Sequence, residues 1–262
     1  MTYEQKKERV KNFCPINDVF FEVVADDTEV CQEILRTILE DDALTVEDVI
    51  VQKSIRNIYG RSVRLDALCV LGNGTRCNIE VQRSNDDDHF RRARYNAASI
   101  TARESEPGDR FENVPTVIVV YISEKDFLAK GRTIYHIDKV IRETKDVIDD
   151  GLQEVFVNAS VNDGTKIAEL MQCFMQTEVN NPQFPKLSTR VKYLKEDEGG
   201  LTIMCELMEQ YLKEARQEGE QKGRQEVIQT MLQNDFDKET ILKLGFSEAE
   251  YNEAEQTLLV HS

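Results

Sequence analysis

Residues 64 to 82, RLDALCVLGNGTRCNIEVQ, constrain what this chain can fold into more than any other stretch. They read as two β-strands joined by a tight turn, with one acid on each strand. Successive side chains of a strand point to opposite faces. Arg64, Asp66 and Leu68 therefore share one face of the first strand, and Leu65, Ala67 and Cys69 the other. On the second strand Arg76, Asn78, Glu80 and Gln82 face one way, and Cys77, Ile79 and Val81 the other. Each strand has an apolar side and a side carrying polar groups.

The length of the turn decides whether the two acids meet. A two-residue Asn73-Gly74 loop sets Asp66 opposite Val81 and leaves the carboxylates on opposite faces. A three-residue Gly72-Asn73-Gly74 loop, with Gly74 as the left-handed residue, pairs Asp66 with Glu80 and Cys69 with Cys77. Only the second register makes both faces consistent, so the pattern predicts the three-residue loop.

The flanking sequence supplies the layers. Residues 1 to 17 read as a short helix or a loose arm, and Asp18-Val19-Phe20-Phe21 opens an apolar stretch. Asp26-Asp27-Thr28 is a cluster of N-caps, followed by Val30, Cys31, Ile34, Leu35, Ile38 and Leu39 at helical spacing. Residues 49 to 59, VIVQKSIRNIY, have Val49, Val51, Ile55 and Tyr59 on one side of a strand, and Gly60-Arg61 turns into the hairpin. After Gln82, Asp86-Asp87-Asp88 suits a helix N-terminus. The helix itself, HFRRARYNAASITARES, turns Phe90, Ala93, Ala97, Ile100 and Thr101 inward. The unbroken apolar run VIVVYIS then reads as a central strand covered on both faces. A strand, a helix and a strand make a crossover, which places the last strand parallel to its partner. The order is αβββαβ, an α/β core.

Beyond this core, IYHIDKVI and EVFVNASV predict two strands around a turn at Asp149-Asp150-Gly151, and residues 166 to 175 a helix. Glu196-Asp197-Glu198-Gly199-Gly200 reads as a linker. From Leu201 a long helix begins whose middle, EARQEGEQKGRQE, is polar all round, and two short helices follow. The expected division is residues 1–162 for the α/β domain, 163–198 for a helical connector and 199–262 for a mostly helical acidic extension. That extension carries sixteen acids against six bases from residue 196 onward, which suits partner binding or self-association into a homo-oligomer rather than DNA binding.

Charge is unevenly placed. The chain has a net charge of −16, yet residues 51 to 103 hold ten Lys and Arg against five acids. A local basic zone around two acids is what a phosphate-handling surface needs, although ordinary solvated strand edges and helix faces produce the same count. No stretch approaches the roughly 18 apolar residues of a membrane span, so no membrane partner is expected. The N-terminal residues lack the apolar segment of a secretory signal. Six cysteines without CxxC pairs read as reduced core thiols, and the expected location is cytoplasmic.

Two carboxylates facing each other on adjacent strands can hold a hard divalent cation. Mg2+ suits such oxygen ligands, with Mn2+ as an alternative, and both leave positions for water and substrate phosphate. The carbonyl of Val81 offers a further ligand beside Asp66 and Glu80. Gln82 can hydrogen-bond an attacking water but can neither act as a base nor carry charge. Arg91, Arg92, Arg94 and Tyr95 lie on the following helix, where they can meet a phosphate or form a solvated basic face. The D…ExQ spacing alone favours an ordinary exposed polar strand face, since many sheets carry an Asp and a Glu on such faces.

The combination is more specific than its parts. DVFF near the start, RLDALCVL, CNIEVQ and RRARYNAA, in this order of elements, resemble the PD-(D/E)XK nuclease superfamily, and most closely its nuclease family transposases, also described as recombination-promoting nucleases. The likeness covers residues 16 to 122 well and the remainder loosely. It implies a restriction-endonuclease-like fold with a mostly helical C-terminal extension. It also implies a metal-dependent endonuclease that hydrolyses phosphodiester bonds of double-stranded DNA during recombination of a mobile element. Asp66 and Glu80 would be the metal-binding acids, with Gln82 standing where the superfamily more often has Lys. A further acid from the first helix would be Glu33, with Glu22 and Asp18 as competitors. Arg64, Arg83, Arg91, Arg92, Arg94 and Tyr95 would meet the DNA. The alternative is a catalytically degenerate member that binds DNA or a protein without cutting.

Overall fold

The computed structural model describes residues 2–55, 63–83, 88–108 and 110–261. Tyr59, Gly60, Arg61, Asp86 and Asp87, which the sequence assigned to a strand end, a turn and a helix start, lie outside them.

The N-terminal arm is helical. In α1 (Tyr3–Lys11), Thr2 and Gln5 satisfy each other's backbone N–H groups in a capping box. The DVFF stretch opens α2 (Asp18–Ala25), which buries Phe20, Phe21 and Val24 completely. α3 (Thr28–Ile38) begins where the caps required, with the Asp27 carboxylate accepting from Glu29 N and Val30 N.

Three antiparallel strands follow: β1 (Val46–Ile55), β2 (Val63–Leu71) and β3 (Arg76–Gln82). The β2–β3 register pairs Cys69 with Cys77, and Leu71 N donates to Thr75 O across a Gly72-Asn73-Gly74 loop. Gly74 has a φ of 84°, so the three-residue loop with a left-handed glycine is the one formed. α4 (His89–Glu104) then crosses over to β4 (Val117–Ser123), parallel to β3 and buried along its whole length.

The next segment departs from a simple two-strand reading. β5 (Ile134–Ile137) is followed by a separate two-stranded ribbon, β6 (Lys139–Val140) with β7 (Val147–Ile148). The Asp149-Asp150-Gly151 turn leads into β8 (Leu152–Asn158), which inserts parallel to β4 and pairs antiparallel with β5. The six-stranded sheet therefore runs β1-β2-β3-β4-β8-β5.

α4 covers one face of the sheet: its Ala93, Ala97 and Ile100 pack with Leu65, Leu68, Val117, Val119, Tyr121 and Phe156. The alternate residues Ile118, Val120 and Ile122 are buried too, and α2 and α3 lie against β1 to β3. Both faces are covered, so Asn78 and Glu80 in the middle of β3 lie in the interior, while Arg76 and Gln82 at its ends are half-buried. This removes the alternative of an ordinary exposed strand face at Glu80.

α5 (Lys166–Met175) and α6 (Pro185–Glu196) join the same layer as α3. The expected linker at residues 196 to 200 is a tight helix-to-helix junction. Asp197 ends α6, and its carboxylate accepts from Gly199 N at the start of α7 (Glu198–Gln233). A Cβ on Gly200 would sit 2.1 Å from Tyr193 O, so that glycine permits close backbone packing rather than flexibility. α7 runs 36 residues through Gly219 and Gly223 without a break. α8 (Lys238–Lys243) and α9 (Glu248–His261) follow. The chain forms two compact units, Met1–Cys205 and Glu206–Ser262. The second has its own small core of Ile228, Ile241, Tyr251 and Ala254. Among the described residues no helix is long and apolar enough to cross a membrane.

Candidate active site

The regular ladder between β2 and β3 ends at the Ala67–Ile79 pair. Side chains take over beyond it. Asp66 Oδ2 accepts from Val81 N at 2.9 Å, and Glu80 Oε1 accepts from Asp66 N at 3.2 Å. Each acid thus satisfies a backbone donor next to the other acid. On the far side of β2 the pairing steps from Val51–Ala67 to Lys53–Leu65 over Gln52, whose φ is 51°. The strict alternation of β2 breaks at the same place, because Leu65 and Leu68 both join the cluster under α4. The interruption leaves the register unchanged and places Gln52 opposite Asp66.

The site is interior and negative. Asp66 is 8 % exposed and Glu80 is fully buried. Burial raises the Asp66 carboxyl well above its ordinary range, and the Glu80 charge adds to this. Burial raises Glu80 as well, opposed by hydrogen bonds from Asn78 and Asp66 N and by Arg92. Asn78, fully buried on β3, donates its Nδ2 to Glu80 Oε1 at 3.0 Å. Its presence on the face of Glu80 was readable from CNIEVQ, but its burial was not, because that face looked open.

One of the arginines assigned to α4 reaches the acids. Arg92 Nη1 donates to Gln82 Oε1 at 2.8 Å, and Nη2 stands 3.5 Å from Glu80 Oε2. Arg91 is exposed and pairs with Asp88. Arg94 is exposed, and its charge acts on Glu154. Arg83, at the end of β3, pairs with Glu124 at 2.7 Å. Arg64 is exposed and Tyr95 half-buried.

Glu33 is not brought to the acids. Its two carboxylate oxygens accept from Lys186 N and Leu187 N at 3.1 and 2.9 Å, capping the start of α6. The first-helix acid is therefore corrected. Asp18, one of the competitors, opens α2, and its charge acts on Asp66. Solvent reaches Asp18, yet desolvation raises its carboxyl, with Arg92 and Arg83 opposing. Both competitors, Asp18 and Glu22, belong to α2 rather than to the more strongly patterned α3.

Among the described residues no three His, Cys, Asp or Glu side chains converge as a ready metal cage. The donor chemistry still fits a hard cation. Two buried carboxylates that raise each other's proton affinity are relieved by positive charge, and Mg2+ commonly uses one or two protein carboxylates with waters. Asp66 and Glu80 are the residues that would hold it, each with one oxygen already anchored on a backbone N–H.

No curated protein and no solved structure matches the chain. A family model described as PD-(D/E)XK nuclease family transposase matches residues 15–221, which take in α2, the hairpin, α4, the whole sheet and much of α7. Nucleases of the PD-(D/E)XK type generally use divalent metals. With acids on adjacent strands of an αβββαβ core and a match over most of its length, the chain belongs to the PD-(D/E)XK nuclease family transposases.

Proposed function

We propose that the protein is a Mg2+-dependent endonuclease that hydrolyses phosphodiester bonds of double-stranded DNA in the recombination of a mobile element. The supporting observation is the Asp66–Glu80 pair, buried and cross-anchored where β2 and β3 stop pairing, with Arg92 beside it. Mn2+ would serve the same site.

When bound, the cation supplies Lewis-acid stabilisation of the developing phosphate charge and acidifies water. Asp66 and Glu80 hold it, with the Val81 carbonyl as a third protein ligand. Gln82 has its Oε1 engaged by Arg92, so its amide NH2 is the group left to orient water or a phosphate oxygen. Arg92 carries the positive charge that Gln82 lacks and stabilises charge on the phosphate. Arg64, Arg83, Arg91, Arg94 and Tyr95 meet the DNA backbone more remotely. Six free thiols suit the reducing cytoplasm, and residues 199 to 262 serve self-association.

The test is conversion of supercoiled plasmid to nicked or linear DNA by purified protein with Mg2+. Asp66→Ala and Glu80→Ala should abolish it; equal cutting by both variants would falsify the assignment. A second reading, a member that binds DNA without cutting, draws on Gln82 being tied to Arg92 where the superfamily more often has a Lys. Calorimetry that finds no Mg2+ or Mn2+ site dependent on Asp66 and Glu80 selects it.

A further inference from the structure

Asn78 has more to do than fill space. Its amide nitrogen is spent on Glu80, and its amide oxygen is buried with no hydrogen-bond partner among the described residues. On α4, Asn96 is 1 % exposed, and its amide nitrogen is likewise buried and unpartnered among the described residues. One atom is an acceptor and the other a donor. A buried polar group left unmade costs roughly 1–3 kcal/mol, so two complementary ones in one protein call for an explanation.

The topology places them at the same level. β3 and β4 are parallel and α4 is their crossover, so α4 runs antiparallel to β3. Arg92 stands over Glu80 and Gln82. Asn96 is four residues further, about 6 Å along the helix and on the same side. Asn78 is one two-residue step back along β3 on the face of Glu80, about 6.6 Å. These two steps run in the same direction.

We propose that Asn78 is a positioning residue that fixes the Glu80 carboxylate for its cation, and that Asn96 holds the far end of the Asn78 amide through one buried water. The inference rests on the metal-site reading above and deepens it. One water between them would give each of the two buried atoms its missing partner. The bridge selects one of the two orientations of the Asn78 amide, the one that presents NH2 to a charged Glu80. With the other orientation, oxygen would face carboxylate oxygen. The arrangement is the counterpart, for a carboxylate ligand, of the hydrogen-bonded partners that orient metal-ligating side chains.

The experiment is Mn2+ calorimetry on the full-length protein, read beside urea unfolding. Asn78→Leu keeps the approximate volume and removes the donor; Mn2+ affinity should fall about 10- to 100-fold, the range for loss of such a partner. Asn96→Leu, which touches neither acid, should weaken Mn2+ binding in the same direction by a smaller factor. A lower urea midpoint with unchanged Mn2+ affinity in Asn78→Leu would mean a purely structural role and overturn the proposal. If Asn78→Leu does not fold, Asn96→Leu decides: weakened binding supports the bridge and unchanged binding overturns it. Wild-type protein that binds no Mn2+ at all overturns the metal-site reading and this inference together. That outcome is distinct from a wild type that binds while Asn78→Leu binds equally well.

Discussion

Arg92 Nη1 and Gln82 Oε1 are 2.8 Å apart, so the residue standing where the superfamily more often has Lys is bonded to a cation supplied by the next helix. The positive charge that β3 lacks arrives from α4. Removing it by Arg92→Ala should lower plasmid nicking by about 100-fold, in the range for a lost charge-stabilising donor. Restoring the usual residue by Gln82→Lys should lower activity at least about tenfold, or about 1.4 kcal/mol, because the new ammonium faces the Arg92 guanidinium. In the double variant the two losses should be less than additive, since the repulsion disappears with Arg92. A Gln82→Lys protein more active than wild type would refute the pairing of these two residues.

The same site makes stability depend on pH and metal. Asp66 and Glu80 both have their folded-state proton affinity raised, chiefly by burial. The folded state therefore binds their protons more tightly than the unfolded chain does. Their ionisation costs nothing below the ordinary carboxylate range, and stability falls as pH rises from there through the raised values. Each unit of elevation corresponds to about 1.4 kcal/mol once ionisation is complete. Asp66→Asn keeps an amide oxygen for Val81 N and removes a charge, so it should raise metal-free stability at neutral pH by about 1 kcal/mol or more. Added Mg2+ should stabilise the wild type and leave Asp66→Asn unchanged. Urea titration with and without Mg2+ measures both, and an Asp66→Asn protein less stable than wild type in the absence of metal would contradict the account.

The parts of the fold legible in the chain were those set by local chemistry. Gly74 and the Cys69–Cys77 match specified the hairpin register, Asp27 specified the start of α3, and the unbroken apolar run of β4 specified a strand covered on both faces. The rest depended on distant partners. Period-two alternation says which side chains share a face, but only the packing of α4 shows that Asn78 and Glu80 are buried. The insertion of β8 between β4 and β5 follows from pairing between segments far apart in the chain, which no local signal encodes. Gly199-Gly200 read as flexible because glycine serves loops and close packing alike, and the backbone of Tyr193 decides between them. The interruption at Gln52, and the joining of Leu65 and Leu68 in one cluster, were hidden for a similar reason: an irregularity in a strand is set by its neighbours on both sides.

The hairpin that delivers the acids should be sensitive to its two glycines in different ways. Gly74 has a φ of 84° and open space around its Cβ position, so Gly74→Ala should cost about 1–2 kcal/mol from backbone strain alone. A Cβ on Gly72 would lie 2.2 Å from Thr45 Oγ1, and Gly72 N is bonded to Thr45 O at 3.0 Å. Gly72→Ala must therefore move either Thr45 or the loop, for about 1–3 kcal/mol. Gly72→Ala combined with Thr45→Ala should recover part of this loss, whereas Thr45→Ala should not rescue Gly74→Ala. Urea midpoints of the single and double variants decide it, and equal responses of the two glycine variants to Thr45→Ala would remove the steric explanation.

Glu33 and Asp18 differ in what their carboxylates act on. Glu33 accepts from Lys186 N and Leu187 N at the start of α6, so Glu33→Ala should cost about 0.5–2 kcal/mol, the worth of a helix cap. Nicking per folded molecule should stay at the wild-type level. Asp18 bears electrostatically on Asp66, with Arg83 and Arg92 opposing its own elevated proton affinity. Asp18→Asn removes a negative charge that acts on Asp66, so if Asp66 holds the cation it should weaken Mn2+ binding severalfold. Stability should change by less than about 1 kcal/mol, the scale of an acid in the first turn of a helix. Calorimetry and urea unfolding on both variants test the assignment together. Weakened Mn2+ binding in Glu33→Ala with wild-type binding in Asp18→Asn would return the role to α3.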